Sequence, residues 1–103
     1  MTEYEKALDD CNQALELAPE AAYIYDSRGE AYYGLEDFEK ALADYDKALE
    51  LDPTMSTSYK YRGFVHQALG NAEQAIADLE QYLALEPETD DRAEIEAVLA
   101  ELQ

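Results

Sequence analysis

Cys11 and His66 are the two side chains of this sequence with the most capacity for covalent or acid–base chemistry. A cysteine nucleophile needs a nearby base, and that base needs a third group to orient it. Cys11 and His66 lie in different halves of the chain, and neither has an obvious orienting partner. Both also occupy positions where the repeat described below places packed aromatic side chains. We therefore expect core roles for both, and no catalytic site.

The acidic residues do not form a recognisable ligand site. Asp9-Asp10 and Asp90-Asp91 lack the spacing of a calcium loop, so we expect them to complement helix ends or face water. No glycine-rich loop follows a predicted strand, which is the arrangement that cradles phosphate. The sequence therefore predicts no metal and no cofactor.

The charge balance limits the classes of partner. The 103 residues include 25 acidic and 7 basic side chains, for a net charge of −18. Such a chain repels the phosphate backbone and anionic membranes, so nucleic-acid and membrane binding are not expected. The charge serves solubility alone or favours a basic partner, and the sequence leaves both readings open.

The chain has no apolar run of transmembrane length and no secretory signal at its N-terminus. Its single cysteine, Cys11, cannot form an intramolecular disulfide and is typical of a reducing compartment. We expect a cytoplasmic setting, although a fragment of a longer protein would have lost its targeting signal.

A motif recurs three times along the chain at an interval of 34 residues. It reads QALELAP, KALELDP and QYLALEP, and ends at Pro19, Pro53 and Pro87. Laid on itself at that offset, the chain is identical in three copies at several further positions. These are Glu5/Glu39/Glu73, Ala7/Ala41/Ala75, Asp10/Asp44/Asp78, Leu15/Leu49/Leu83 and Leu17/Leu51/Leu85. One structural unit is therefore repeated.

Each unit reads as two amphipathic helices. Ala41, Leu42, Tyr45, Ala48 and Leu49 recur at helical spacing, and an X-Pro pair ends each unit because it disfavours helical backbone before the proline. Start signals are a capping box at Thr2 and Glu5, Asp37, and Asn71 with Gln74. The predicted helices span 3–17, 22–35, 38–51, 56–69, 72–85 and 90–102.

This pattern resembles the tetratricopeptide repeat family, whose motif places aromatic, glycine, alanine and proline residues at fixed positions of a 34-residue unit. Residues 22–55 match it with Tyr25, Gly29, Tyr32, Ala41, Tyr45, Ala48 and Pro53. Residues 56–89 match it with Tyr59, Gly63, Ala75 and Pro87, and depart from it with His66, Leu79 and Tyr82.

The resemblance implies an all-α fold, an α-solenoid of helix-turn-helix repeats wound into a right-handed superhelix. It implies one domain over 1–103, made of a half repeat at 1–21, full repeats at 22–55 and 56–89, and a capping helix at 90–103. The half repeat has only a second helix. First helices would line the concave side.

Specific contacts are expected between the helices. Gly29 and Gly63 on the first helices should let Ala41 and Ala75 on the second helices pack close against them. Asp10 should pair with Arg28, and Asp44 with Arg62, as a ladder between units, unless these charges are simply solvated. Tyr82 should fill space left by Ala93 and Ala97, with Glu94, Glu96 and Glu101 on the outer face of the last helix.

Members of the family mostly hold peptides or helices in the concave groove, and the resemblance implies the same function here, without enzymatic activity. Helical phase predicts a binding surface of Tyr23, Asp26, Ser27, Glu30, Tyr33, Thr57, Lys60, Tyr61, Phe64 and Gln67. Aromatics beside carboxylates suit a ligand with apolar and basic side chains. Alternatively, the aromatics only pack against one another.

Some members of the family grip chaperone C-terminal carboxylates with Lys, Asn and Arg on first helices. This chain offers only Lys60, with Asp26, Glu30 and Phe64 at comparable places. A carboxylate ligand would be repelled there, so we do not expect that subclass.

The alternative function is self-assembly through the half repeat. Its helix should leave a stripe of apolar residues open to water, namely Tyr4, Ala7, Leu8, Cys11 and Leu15. A second copy, a partner chain or a helix of a longer parent protein could cover this stripe. Pairing of two copies through residues 1–17, as a homodimer, is the expectation, with a plain monomer as the alternative.

Overall fold

The computed structural model describes all 103 residues and contains six α-helices and no strand. The helices are α1 (Glu3–Leu17), α2 (Ala22–Gly34), α3 (Phe38–Leu51), α4 (Ser56–Ala68), α5 (Ala72–Leu85) and α6 (Arg92–Leu102). The expected six helices are confirmed, and only α6 begins more than one residue from its predicted start. None is long and apolar enough to cross a membrane.

The helices stack in chain order into an elongated solenoid with extents of 40 × 25 × 22 Å. α2 packs most extensively on α3 and α4 on α5, which are the two-helix units, while α1 packs on α2 and α6 on α5. The first helices α2 and α4 also contact each other directly. Each unit thus completes its core with side chains of its neighbours.

Two buried clusters hold the stack together. One contains Ala41, Tyr45 and Val65, and joins the first full unit to α4. The other contains Leu79, Tyr82, Leu83, Ile95 and Leu99, and joins α5 to α6. The second-helix stripe expected from the sequence is therefore the principal core surface.

Gly29 and Gly63 each accommodate a larger side chain than expected. A Cβ added at Gly29 would lie 2.8 Å from Cε1 of Tyr45, and one at Gly63 would lie 2.9 Å from Cγ of Leu79. Gly29 therefore makes room for the ring of Tyr45, and Gly63 for Leu79, the residue 34 positions after Tyr45. A Cβ added at Gly63 would also lie 3.4 Å from the carbonyl oxygen of Ala75.

The capping box of α1 is confirmed. The hydroxyl of Thr2 accepts a hydrogen bond from the Glu5 backbone N–H, and the Thr2 N–H donates to Glu5, both at 3.1 Å. Asp37 and Asn71 occupy the predicted N-cap positions but make no side-chain capping bond. Asn71 instead places its amide nitrogen 3.3 Å from Nδ1 of His66.

The expected arginine–aspartate pairs are wrong in their partners. Arg28 donates to both carboxylate oxygens of Asp44, at 2.9 and 2.7 Å, and Arg62 donates to both of Asp78, at 2.8 Å each. Each arginine lies on the side of the first helix that packs on the second helix of the same unit, so the fork closes within the unit.

The third nitrogen of each fork makes the link between units. Nη1 of Arg28 donates to Asn12 at 3.0 Å, and Nη1 of Arg62 donates to Asp46 at 2.9 Å. Asn12 and Asp46 are equivalent residues of successive second helices, 34 positions apart. One guanidinium therefore bridges two second helices.

The packing of α6 corrects a further expectation. Tyr82 is buried, with 6% of its surface exposed, as predicted. Ala93 and Ala97 are exposed, however, and Tyr82 packs in the cluster that contains Ile95 and Leu99. Burying these larger side chains removes more apolar area from water than burying two alanines would, and this favours the observed rotation of α6.

Candidate functional site

The two first helices form a continuous surface, here called the first-helix face, at which α2 and α4 lie side by side. Asp26 of α2 joins them, since its carboxylate accepts hydrogen bonds from Ser58 at 2.7 Å and Thr57 at 3.2 Å. Ser58 is fully buried. Asp26 therefore fixes α2 against α4 as well as contributing charge to this face.

Three half-buried rings, Tyr33, Tyr61 and Phe64, form an aromatic cluster on the first-helix face. The ring centroid of Tyr61 lies 5.8 Å from that of Tyr33 and 5.9 Å from that of Phe64. The predicted aromatics thus do pack against one another across the helices. Each ring also keeps part of its surface exposed.

Lys60 stands beside this cluster with its charge already paired. Its Nζ lies 2.6 Å from Oδ2 of Asp91 and about equally far from the ring centroids of Tyr61 and Tyr82, at 5.4 and 5.5 Å. Thr89 and Tyr82 also donate hydrogen bonds to Asp91. Sequence reasoning missed Asp91 as the partner, since only the fold brings the start of α6 against α4.

The protonation of this pair follows from its contacts. Burial alone would raise the pKa of Asp91, but hydrogen bonds from Lys60, Thr89 and Tyr82 outweigh it and hold that pKa at about 2. Burial would lower the pKa of Lys60, and pairing with Asp91 raises it overall. Both groups are charged at neutral pH and neutralise each other.

Glu30 is the exposed carboxylate of the face. Partial burial and the neighbouring charge of Asp26 raise its pKa, with Lys60 acting in the opposite direction. With Lys60 neutralised by Asp91, the carboxylates of Asp26 and Glu30 leave the face with net negative charge.

The other residues predicted for this surface lie at its edges. Tyr23 is 66% exposed, and its carbonyl accepts a hydrogen bond from the hydroxyl of Ser27 at 3.0 Å. Gln67 is half-buried at the end of α4. The structure thus connects Tyr33, Lys60, Tyr61 and Phe64 through ring and cation contacts. Asp26 bonds instead to Thr57 and Ser58 of α4, and Tyr23 and Ser27 lie at the rim.

Tyr45 lies beneath the aromatic cluster, and no residue pattern predicts the unusual surroundings of its hydroxyl. The residue is fully buried and stacks on Tyr61 with centroids 6.5 Å apart, yet its hydroxyl has no hydrogen-bond partner. Burial, together with the negative charges of Asp26 and Glu30, raises the pKa of that hydroxyl. Tyr45 is therefore neutral at every physiological pH.

Replacing Tyr45 with Phe should not destabilise the protein, and we expect it to raise the free energy of unfolding by up to about 1 kcal/mol. The substitution removes a buried hydroxyl that makes no hydrogen bond. It keeps the ring that fills the space beside Gly29. Urea denaturation of both proteins measures the difference. A loss of more than about 1 kcal/mol would show that the hydroxyl is satisfied in solution.

The stripe predicted for self-association lies on α1, which has no buried residue. Ala7, Leu8, Cys11 and Leu15 are half-buried, while Tyr4 is 47% exposed with its ring against Gly34. A shallow pocket of about 210 Å³ opens between α1 and α2. It is lined by Tyr4, Ala7, Ser27, Glu30 and Ala31.

Cys11 and His66 are held in separate surroundings. Partial burial raises the pKa of the Cys11 thiol, with Arg28 opposing that effect, so the thiol is protonated near neutral pH. His66 lies on α4 beside Asn71. No group of three or more His, Cys, Asp or Glu side chains is placed to hold a metal ion.

Known structures similar to this one include TPR domains, some of them solved with a bound peptide. An Arabidopsis OM64 TPR domain superimposes with a TM-score of 0.90 at 27% identity, covering 98% of this chain and 81% of that one. The first TPR of Spaghetti (RPAP3), bound to the HSP90 peptide SRMEEVD, gives a TM-score of 0.89 at 28% identity, covering 97% and 77%. No curated protein matches the chain in sequence.

The second TPR domain of human RPAP3, in complex with the HSP70 peptide SGPTIEEVD, also superimposes. Its TM-score is 0.84 at 26% identity, with coverage of 97% of this chain and 81% of that one. The fold of this chain is therefore that of domains solved with peptides bound.

Sequence models of the family match the two full units. One model of the tetratricopeptide repeat matches residues 22–55, and a second matches residues 62–89. Both matches fall on the 34-residue units whose helix pairs, glycine contacts and arginine forks the structure shows. The chain belongs to the tetratricopeptide repeat family.

Proposed function

We propose that the first-helix face binds a peptide or helix that combines apolar and basic side chains. The observation that carries this proposal is the aromatic cluster of Tyr33, Tyr61 and Phe64, bordered by the carboxylates of Asp26 and Glu30. Rings with exposed faces attract apolar groups and cations, and nearby carboxylates attract lysine and arginine. Tetratricopeptide repeat domains are in general interaction modules and not enzymes, and we propose the same for this chain.

The charges of the face distinguish this proposal from binding of an acidic peptide. The HSP90 and HSP70 peptides of the similar structures both end in EEVD. Here the face offers one ammonium, that of Lys60, and Asp91 already neutralises it at 2.6 Å. A peptide ending in EEVD would bring its carboxylates toward Glu30 and Asp26, with no free cation to receive them. Complementarity of charge therefore favours a basic ligand.

A matched pair of labelled peptides tests the sign of this charge selection. The probes are SRMEEVD and SRMKKVK, which have the same length and differ only where lysine replaces the acidic residues. Fluorescence anisotropy should show binding of the basic peptide, weakening with added salt, and no saturable binding of the acidic one. Saturable binding of the acidic peptide alone would contradict the proposal.

Lys60→Gln locates the effect on the first-helix face. The substitution removes a positive charge and frees the carboxylate of Asp91, so affinity for the basic peptide should rise about threefold or more. Lys40→Gln is the matched control, because it removes the same charge from an exposed position on the second helix α3. Equal effects of the two variants would place binding elsewhere.

A further inference from the structure

One face of α1 lacks the cover that the equivalent face of α3 receives from α2. α3 buries five residues, including the fully buried Tyr45, whereas α1 buries none. Cys11 stands 34 residues before Tyr45 and remains half exposed. The two helices have closely related sequences, so the difference comes from what packs against them.

The pocket between α1 and α2 lies where a helix equivalent to α2 would pack on α1. Its lining residues correspond, 34 positions on, to Phe38, Ala41, Tyr61, Phe64 and Val65. In that later unit Tyr33 of α2 fills the space, with ring centroids 6.1 Å from Phe38 and 5.8 Å from Tyr61. The pocket therefore has the location that an aromatic side chain takes when a helix packs on this surface.

An unpaired carboxylate stands at the same face. Asp44 and Asp78 are buried, and each accepts a two-pronged hydrogen bond from an arginine of the first helix. Asp10 is the third copy of this aspartate, and it is exposed, with no ion pair or side-chain hydrogen bond. Glu30 adds a second carboxylate at the pocket. A cation is therefore the charge that this face lacks.

We propose that this surface, the α1 seat, binds an amphipathic helix of a partner protein that carries an arginine opposite Asp10 and an aromatic residue five positions later. The α1 seat consists of Tyr4, Ala7, Asp10, Cys11, Ser27, Glu30 and Ala31. The spacing is that of Arg28 and Tyr33 in α2, the helix that covers the equivalent surface of α3. This interaction differs from peptide binding by the aromatic cluster, although Ser27 and Glu30 belong to both surfaces.

Charge selects a partner protein over a second copy of this chain. A two-fold contact between α1 helices would set the carboxylate of Asp10 near its own symmetry mate. Docking α6 of a second copy in the seat would place Glu96 opposite Asp10, since Glu96 is the 34-residue equivalent of Arg62. With −18 on each copy, both arrangements bring like charges together. A helix with an arginine removes that repulsion.

A peptide of residues 22–35 of this chain, labelled with fluorescein, is the probe. We expect saturable binding that Asp10→Arg weakens about tenfold or more, because it opposes the arginine of the probe. Asp9→Arg is the matched control, with less than about a twofold effect. It makes the same change of charge at a position whose repeat equivalents, Ala43 and Ala77, face solvent.

Charge reversal on both sides makes the test specific. A probe carrying Arg28→Asp should bind poorly to the unmodified chain and regain affinity for the Asp10→Arg variant. Alkylation of Cys11 should slow when the probe is bound, since the equivalent Tyr45 is fully buried beneath α2. Circular dichroism checks that the variants fold, which is expected because Asp10 is exposed.

Three results would overturn the inference. They are absence of saturable binding, equal weakening by the Asp9 and Asp10 variants, and a dimer in sedimentation that protects Cys11 without any probe. None of these would decide the proposal for the first-helix face, since Lys60 and Phe64 lie outside the α1 seat.

Discussion

Replacing Tyr82 with Ala should lower the free energy of unfolding by about 3 kcal/mol, the largest single effect that we expect from a core residue. The ring fills the cluster between α5 and α6 with Leu79 and Ile95, and 6% of its surface is exposed. Its hydroxyl also donates to Asp91 at 2.8 Å. Truncation leaves a cavity and weakens the buried cluster that packs α6 on α5.

Urea denaturation measures this loss, and two controls separate its causes. Tyr82→Phe keeps the ring and removes only the hydroxyl bonds, so it should cost about 1 kcal/mol. Tyr23→Ala truncates a tyrosine that is 66% exposed and should cost less than about 0.5 kcal/mol. If Tyr82→Ala were as mild as Tyr23→Ala, the described packing of α6 would be wrong.

The pairing of Arg28 with Asp44 should appear as a coupling energy of about 2 kcal/mol in a double-mutant cycle. Arg28→Met leaves the nearly buried Asp44 carboxylate without its partner, whereas Asp44→Leu leaves an arginine that is 24% exposed and can reach water. We therefore expect the larger loss, about 2–3 kcal/mol, from the arginine substitution. Apolar residues at both positions should restore much of the stability.

The control cycle combines Arg62→Met with Asp44→Leu. Arg62 forks to Asp78 and bridges to Asp46, with no bond to Asp44. Its coupling to Asp44 should therefore be below about 0.5 kcal/mol. A large Arg62–Asp44 coupling with a small Arg28–Asp44 coupling would restore the ladder expected from sequence and contradict the observed register.

The helices could be predicted from sequence because their signals are local. Proline at a 34-residue interval and apolar residues at helical spacing fix five helices to within a residue. The arginine partners could not be predicted in this way, since the spacing in sequence is compatible with either Asp10 or Asp44 as the partner of Arg28. Only the packing of α2 on α3 decides between them.

The orientation of α6 could not be predicted from sequence for a similar reason, since it depends on packing. Ala93 and Ala97 fall at the repeat positions of an aromatic and a glycine, but Ile95 and Leu99 offer more apolar area and turn the helix. The 34-residue register therefore predicted the wrong orientation for α6, where the sequence departs from the repeat motif.

The candidate surface was predictable in outline and not in its pairing. Helical phase places Tyr33, Tyr61 and Phe64 on one side of the first helices, and the structure shows that their rings are in contact. The bond from Lys60 to Asp91 joins helices that are distant in sequence, and the orphaned hydroxyl of Tyr45 depends on packing that no spacing reveals. These two features determine the charge of the face and the polarity beneath it.

An NMR titration of the isotope-labelled chain with SRMKKVK tests the central claim most directly. Binding at the first-helix face predicts amide shift changes centred on Tyr33, Tyr61 and Phe64. Glu39 and Glu73, exposed equivalents at the start of the second helices, should be unaffected. Shift changes confined to the second helices, or none at saturating peptide, would contradict the account.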